Sequence, residues 1–329
     1  MNSTMKKLSV AAMVALFVAA CGGTAASPSG PALTGEIAID GSSTVYPITE
    51  AVAEEFQTAN PGVQVTVAFS GTGGGFKKFC AGEMDANNAS RPIKTSDKPG
   101  DDGVAGTADD VLSEATLCKN AGIEYIELKV AIDALAVVVS KENTFVDCLT
   151  TDELKSIWDL GSVVETWADV RAGWPAEKID LYGPGADSGT FDYFTEVING
   201  EAKRSRSDYT ASEDDNTLVT GISGSQYALG YFGLAYVTEN ADKIRAVEVD
   251  GGKGCTAPSA DAANDGTYVP LGRPLFIYPS VAALARPEVA AFFRFFLENT
   301  NTLSAEVGYI GLNDEDLAAA KAILEGALK

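Results

Sequence analysis

The chain has 329 residues, 46% of them hydrophobic, which is enough to bury the cores of about two domains. Forty-six acidic residues against 24 basic ones give a net charge of −22, which argues against nucleic acid or an anionic membrane surface as a partner. It also requires any bound anion to be held by local donors against the overall field. Histidine is absent, which removes Ser-His-Asp and Cys-His nucleophiles and the common His-based zinc sites.

Lys6 and Lys7, an apolar run from Leu8 to Ala20, and then Cys21-Gly22-Gly23 read as an export signal. The run of about 13 residues falls short of the ~20 that span a bilayer. Val18-Ala19-Ala20-Cys21 resembles a bacterial lipobox, so residues 1–21 are expected to be a lipoprotein signal with Cys21 lipidated, and residues 22–35 a flexible tether. Four cysteines remain, Cys80, Cys118, Cys148 and Cys255, and an even number in an exported chain favours two disulfides over metal or catalysis. Three pairings are open. Cys80 with Cys118 and Cys148 with Cys255 is the expected one, because each bridge then stays mostly within one lobe.

Short apolar runs alternate with helical patterns, the mark of βαβ units and a mostly parallel sheet. In chain order the pattern predicts a strand over 36–40, a helix over 48–58, a strand over 63–69 and a helix over 76–82. Residues 98–110 form a Gly- and Asp-rich loop whose pairs Asp101-Asp102 and Asp109-Asp110 offer oxygens to calcium but lack EF-hand spacing, so a solvated insertion is expected. Extended apolar runs over 124–129 and 134–140 cross from one lobe to the other. A helix over 149–160, a strand over 179–182, a helix over 190–199, a strand and turn over 228–237 and a strand over 244–249 follow. Ser212 to Asn216 caps a helix beginning near Thr217. A second crossing over 273–279 precedes helices that fill the rest of the chain, with Phe292, Phe293, Phe295 and Phe296 on a buried face. Trp158, Trp167 and Trp174 read as packing. Two crossings predict a discontinuous first lobe, 36–133 with 273–329, around a second lobe, 134–272.

Three segments share one design, a strand, a turn dense in Gly, Ser and Thr, and a helix: Gly41-Ser42-Ser43-Thr44, Ser70 to Gly75, and Gly183 to Thr190. Each sets hydroxyls and backbone N–H groups at a helix start, where the helix dipole favours an anion. The glycine turns lack the Gly-Lys-Ser/Thr ending of a P-loop, and no G-x-S-x-G elbow surrounds Ser188 or Ser223. They are built for binding rather than for phosphoryl or acyl transfer.

Asp40-Gly41-Ser42-Ser43-Thr44-Val45-Tyr46-Pro47, Ser70 to Lys77, Asn88-Ala89-Ser90-Arg91-Pro92-Ile93, Gly185 to Phe194 and Arg273 to Tyr278 resemble the characteristic blocks of the periplasmic phosphate-binding proteins of ABC importers. The resemblance runs from about Gly35 to near the C-terminus. It implies an α/β, two-lobed type II periplasmic binding protein fold with two crossover segments, closing over inorganic phosphate for delivery to the membrane permease subunits of the importer. It assigns Thr44 and the Val45 amide to the first contact, Ser70 to the second, and Ser188, the Gly189 amide and Thr190 to the third, with Ser43, Gly71 and Ser90 completing the site. Well-known members carry an aspartate where this chain has Arg91 and an arginine where it has Pro184. Arg91 as bidentate donor and Asp187 as acceptor of the phosphate proton would supply that pair from exchanged positions. The expectation is a non-enzymatic monomer, anchored by lipid at the outer face of the membrane, with no cofactor, no metal and no nucleic acid. The alternatives are the same scaffold tuned to sulfate or a phosphonate, an exported metal-dependent phosphatase, and a surface lipoprotein with a vestigial cleft.

Overall fold

The computed structural model describes residues 32–186 and 188–329, so the expected signal, Cys21, the first part of the tether and Asp187 lie outside the described residues. Strand β1 (Gly35–Gly41) leads through α1 (Tyr46–Ala59), β2 (Val63–Val67), α2 (Thr72–Cys80), β3 (Ala86–Ala89) and α3 (Glu114–Asn120) into the long strand β4 (Leu128–Ser140). Then come β5 (Cys148–Thr150), α4 (Thr151–Trp158), α5 (Trp167–Val170), β6 (Asp180–Gly183) and α6 (Gly189–Phe194), which a π-helix, Thr195–Asn199, prolongs. The chain continues with β7 (Thr210–Ala211), α7 (Asp215–Ser223), β8 (Ala228–Gly233), α8 (Leu234–Glu239), β9 (Ile244–Ala246), β10 (Glu248–Asp250), β11 (Cys255–Thr256) and α9 (Ala260–Asn264). It ends with β12 (Gly272–Pro279), α10 (Val281–Leu284), α11 (Pro287–Glu306) and α12 (Asp314–Ala327).

The main sheet runs β2-β1-β3-β12-β4-β8-β6-β7, with β9 also on β4, and a smaller sheet runs β11-β10-β5. β1 pairs in parallel with β2 and β3, and β6 with β8, as the βαβ reading requires. The two apolar runs read as separate crossings are in part a single strand. β4 gives its first half to β12 and its second to β8, both antiparallel, and is buried almost throughout because Val, Ile, Leu and Ala fill both faces. The register with β12 shifts at Leu275 and Phe276 and leaves Val130 as a bulge, whose carbonyl accepts from the buried Thr300 Oγ1 at 2.6 Å.

One core gathers Ile37, Ile39, Val52, Phe56, Leu128, Leu275, Phe292, Phe293 and Phe296; another gathers Leu135, Val137, Trp158, Trp167, Leu181, Tyr193 and Tyr231. The edge-on contact of Phe56 with Phe292, 5.4 Å between ring centres, docks α1 on α11. Helix α2 begins at Thr72, a turn earlier than predicted, because its glycines serve packing as well as turning. A Cβ on Gly75 would lie 2.4 Å from Gly41 Cα, and one on Gly41 (φ +134°) would lie 2.1 Å from the Asn88 carbonyl oxygen. The strand predicted over 244–249 is split between β9 and β10, which join different sheets. In the 98–111 loop Asp102 accepts from the Val104 amide, Asp109 from that of Asp102 and Asp110 from that of Gly106, so these carboxylates fold the loop on itself.

Both disulfides follow the expected neighbour pairing. Cys80–Cys118 ties α2 to α3, and Cys148–Cys255 ties β5 to β11 across a separation of 107 residues. Asp214 caps α7 by accepting from the Asn216 amide at 2.9 Å, as read, although the helix starts at Asp215. Burial and then the charges of Asp214 and Glu213 push the Asp215 carboxyl up to about 6.

Two outcomes follow. Replacing Cys148 and Cys255 together by alanine is expected to cost about 4 kcal/mol in urea unfolding, from closure of a long loop in the unfolded chain; a loss below about 1 kcal/mol contradicts that. Because the folded carboxyl of Asp215 lies above its unfolded value, its contribution is intact below about pH 4 and lost as pH rises through about 6. Asp215→Asn should therefore raise Tm at pH 7.5, with the gain vanishing toward pH 4.

Candidate functional site

Strand β1 closes with Asp40 and Gly41, and what the Asp40 carboxylate does shapes the first turn. Asp40 accepts from the Gly41 amide at 2.6 Å and from Ser70 Oγ at 2.9 Å, and pairs with Lys78. Burial raises its pKa, but Lys78 and these two donors outweigh that and hold it below the ordinary carboxylate range. The knot aligns the ends of β1 and α2. The Ser42 amide donates to the Asn88 carbonyl at 2.9 Å and the Thr44 amide to Ser42 Oγ at 3.2 Å, which fixes the approach to α1.

A cleft of about 550 Å³ opens over these strand ends. Ser42, Ser43 and Thr44 line it from the first turn, Gly71, Thr72 and Gly73 from the second, and Ser90, Arg91 and Lys94 from the segment after β3. Asp192, Tyr193 and Glu196 face them from the α6 side, and Arg273 forms part of the wall from β12. Helices α3, α4, α7, α9, α10 and α12 each start with a side chain that caps the first turn. Helices α1 and α2 start at Val45 and Gly71 with no side-chain cap, as do α8 and α11, whose first residues are away from the cleft. The dipole end of α2 is thus left to whatever enters, while at α1 the Tyr46 amide donates to the Ser42 carbonyl at 3.1 Å and Pro47 carries no N–H.

Arg273 stands opposite Asp133 in the β12–β4 register. Its Nε and Nη2 reach Asp133 Oδ2 at 3.2 Å, Nη2 also donates to Thr44 Oγ1 at 3.2 Å, and the guanidinium lies 3.5 Å from the centre of the Tyr193 ring. It touches the first turn, the crossing strand and α6 at once. Burial pushes the Asp133 carboxyl up, and Arg273 draws it back.

Of the residues expected to bind, Ser43, Thr44, Gly71, Ser90 and Arg91 line the cleft. Gly189 approaches Thr44, a Cβ there lying 3.3 Å from Thr44 Oγ1, so the first and third turns meet. Ser188 caps α6 by accepting from the Thr190 amide at 3.1 Å, and Val45 is fully buried at the α1 start. Ser70 is turned onto Asp40; its place in the wall is taken by Thr72, which accepts from the Ser90 amide at 3.2 Å. Arg91 is present, but both arms of its fork are engaged by Glu114, at 2.8 and 2.6 Å. Burial raises Glu114, while Arg91 and the Lys94 amide draw it below its ordinary value. Trp158 and Trp167 are buried packing, as read.

Arg273, Thr72 and Asp192 were not among the predicted site residues. Asp192 follows Ser188 by one helical turn, its amide donating to the Ser188 carbonyl at 3.2 Å, a spacing that could have placed it on the cleft face. Its Oδ1 is buried and accepts no hydrogen bond among the described residues; the nearest cation, Lys203, stands 3.9 Å away. Burial holds this carboxyl above the ordinary range, with Glu196 adding to the effect and Lys203 and Arg273 opposing it.

The profile of the PBP superfamily domain matches residues 26–300. Protein SphX of Synechococcus elongatus is 46% identical over 287 residues, covering 86% of this chain and 80% of that protein. The phosphate-binding protein PstS of Staphylococcus saprophyticus is 36% identical over 94% of this chain and 90% of its own length. The crystal structure of a possible phosphate binding protein from Planctomyces limnophilus is 51% identical, covers 90% of this chain and 100% of that one, and superposes with a TM-score of 0.82. An ABC-type phosphate transport receptor from Vibrio cholerae shares the fold at 24% identity and a TM-score of 0.62, over 84% of this chain and 99% of that one.

Arg273→Ala strands a buried carboxylate at Asp133 and is expected to cost about 3–5 kcal/mol as well as anion binding. Asp133→Leu with Arg273→Met should recover most of the stability and none of the binding, as read by urea unfolding and anion titration. Binding that survives in the stable double variant contradicts the assignment.

Proposed function

We propose that this chain, which belongs to the periplasmic phosphate-binding proteins of ABC importers, captures inorganic phosphate outside the cytoplasm and delivers it to the permease subunits of such an importer. It acts as a receptor and not as an enzyme, a monomer held to the membrane by a lipid on Cys21. The observation that carries the reading is the pair of helix starts without a side-chain cap, α1 and α2, whose approach residues Thr44 and Gly71 line one cleft with the Arg273 guanidinium in its wall. Amides and hydroxyls at two positive dipole ends, with one mostly buried cation, are what a small tetrahedral anion needs when the chain as a whole repels it. The names of the relatives supply phosphate as the candidate among such anions.

Residues 36–133 with 273–329 form one lobe and 134–272 the other, in this reading, and β4 and β12 carry the hinge. An anion touching Thr44 on one side and the α6 turn on the other bridges the two and shifts the population toward the closed form. That closed form is the one the permease recognises.

Choice among anions rests on an acceptor. Near neutral pH phosphate keeps a proton and sulfate has none, so a buried carboxylate that lacks a donor rewards phosphate and repels sulfate. Asp187 lies outside the described residues, and Asp192, which lines the cleft from α6 and whose Oδ1 accepts no hydrogen bond among the described residues and has Lys203 at 3.9 Å, is the acceptor that the geometry supports. Arg91, engaged by Glu114, contributes charge to the wall in place of a free fork.

At about 100 times Kd phosphate should stabilise the protein by about 2.7 kcal/mol, seen as a rise in Tm of several degrees, with sulfate giving none. Asp192→Asn should weaken phosphate by at least about tenfold and let sulfate compete, since the amide donates where the carboxylate accepted. Displacement of phosphate by sulfate from the wild-type chain would falsify the assignment of the ligand.

A further inference from the structure

Beside the cleft lies a second groove, of about 430 Å³, and the two share Gly73, Arg91 and Lys94 in their walls. Lys77, Lys94 and Lys98 line this groove, all three exposed, and none is ion-paired among the described residues. Their origins differ: Lys77 stands on α2, Lys94 in the segment after β3, and Lys98 at the base of the 98–111 loop, where it bridges to Val111. Arg91, the fourth cation, is neutralised by Glu114, so the three lysines carry the groove's positive charge. Of the loop aspartates beyond Lys98, Asp102, Asp109 and Asp110 accept from backbone amides of the loop.

The whole chain carries −22, which by itself slows the approach of any anion. Salt of physiological strength screens charges beyond about 8 Å, so the field that a small anion feels in its last step is set by the groups nearest the opening. Among the charged residues that line the groove, Arg91 and Glu114 pair with each other, and the charges left over are the three lysines.

We propose that this groove is an encounter site, which gathers inorganic oxyanions at Lys77, Lys94 and Lys98 and passes them along Arg91 and Gly73 into the cleft. The inference rests on the proposed capture of phosphate, and it concerns the rate of arrival and not the strength of holding. Rim charges of this kind act on the association rate, while groups in the cleft set the dissociation rate.

The test is stopped-flow binding of inorganic phosphate to the exported, disulfide-bonded chain at several ionic strengths. An acidic protein governed by its net charge would bind an anion faster as salt rises; the encounter site predicts the reverse, a rate that falls with salt. The double variant Lys77→Gln, Lys98→Gln, which leaves Lys94 of the cleft wall in place, should bind at least about twofold more slowly at low salt, with an unchanged dissociation rate and a Kd raised by the same factor. Wild type and variant should converge near 0.5 M salt, at roughly 4 Å screening length. A wild-type rate that rises with salt, or a variant that changes only the dissociation rate, overturns the encounter site while leaving phosphate capture standing. A wild-type chain that binds no phosphate removes both.

Discussion

Everything at this site turns on one mostly buried guanidinium in a protein that is otherwise strongly acidic. Arg273 would be costly where it stands without Asp133 opposite it on the neighbouring strand, and Asp133 would be costlier without Arg273. The pair is affordable only because β12 and β4 lie side by side at the middle of the sheet, where the register puts the two residues face to face. From that position the cation also reaches Thr44 and stacks on Tyr193, so one side chain joins the helix that begins after the first strand to the one that begins after the sixth. The central strands therefore do more than connect two cores. They carry the charge around which the turns are organised.

The strand ends solve a second problem, that of presenting polar groups without satisfying them internally. At Asp40 the chain spends a carboxylate on Ser70, Lys78 and the Gly41 amide, which fixes the geometry and removes Ser70 from the wall. One turn further on, Val45 and Gly71 offer no side-chain oxygen to the helix starts they precede. A helix start without its own cap is a small local loss of stability, of the order of 1 kcal/mol. Setting two of them around one opening converts that loss into affinity for an external acceptor.

What the sequence revealed and what it concealed divide along contact distance. The Gly, Ser and Thr turns are local patterns, so three of them could be recognised and two placed on the cleft wall directly. The Arg273–Thr44 contact spans 229 residues, and no periodicity reports a partner at that separation. The Arg91–Glu114 pair illustrates the opposite hazard. Arg91 looked like a free bidentate donor because Glu114, 23 residues later, sits at the first turn of a short helix that nothing in the local pattern aims at it. β4 was read as two runs because Asp133, the one charge in its buried stretch, interrupts the apolar run, and its purpose is visible only once β12 is beside it. The disulfide pairing was legible for a better reason: the expected division into lobes left each neighbour pair on one side.

The position of β12 has a consequence for how the molecule comes into being. Its slot, between β3 and β4, stays empty until residue 279 has been made, long after β1, β2 and β3 exist. Strands β4, β8, β6 and β7 and the bond between Cys148 and Cys255 can all assemble before then. A chain made from its N-terminus must therefore hold its earliest segment open while its middle closes. The cation at position 273 arrives with the strand that completes the sheet, so the Asp133 carboxylate and the Thr44 hydroxyl wait for their partner until the last strand is in place.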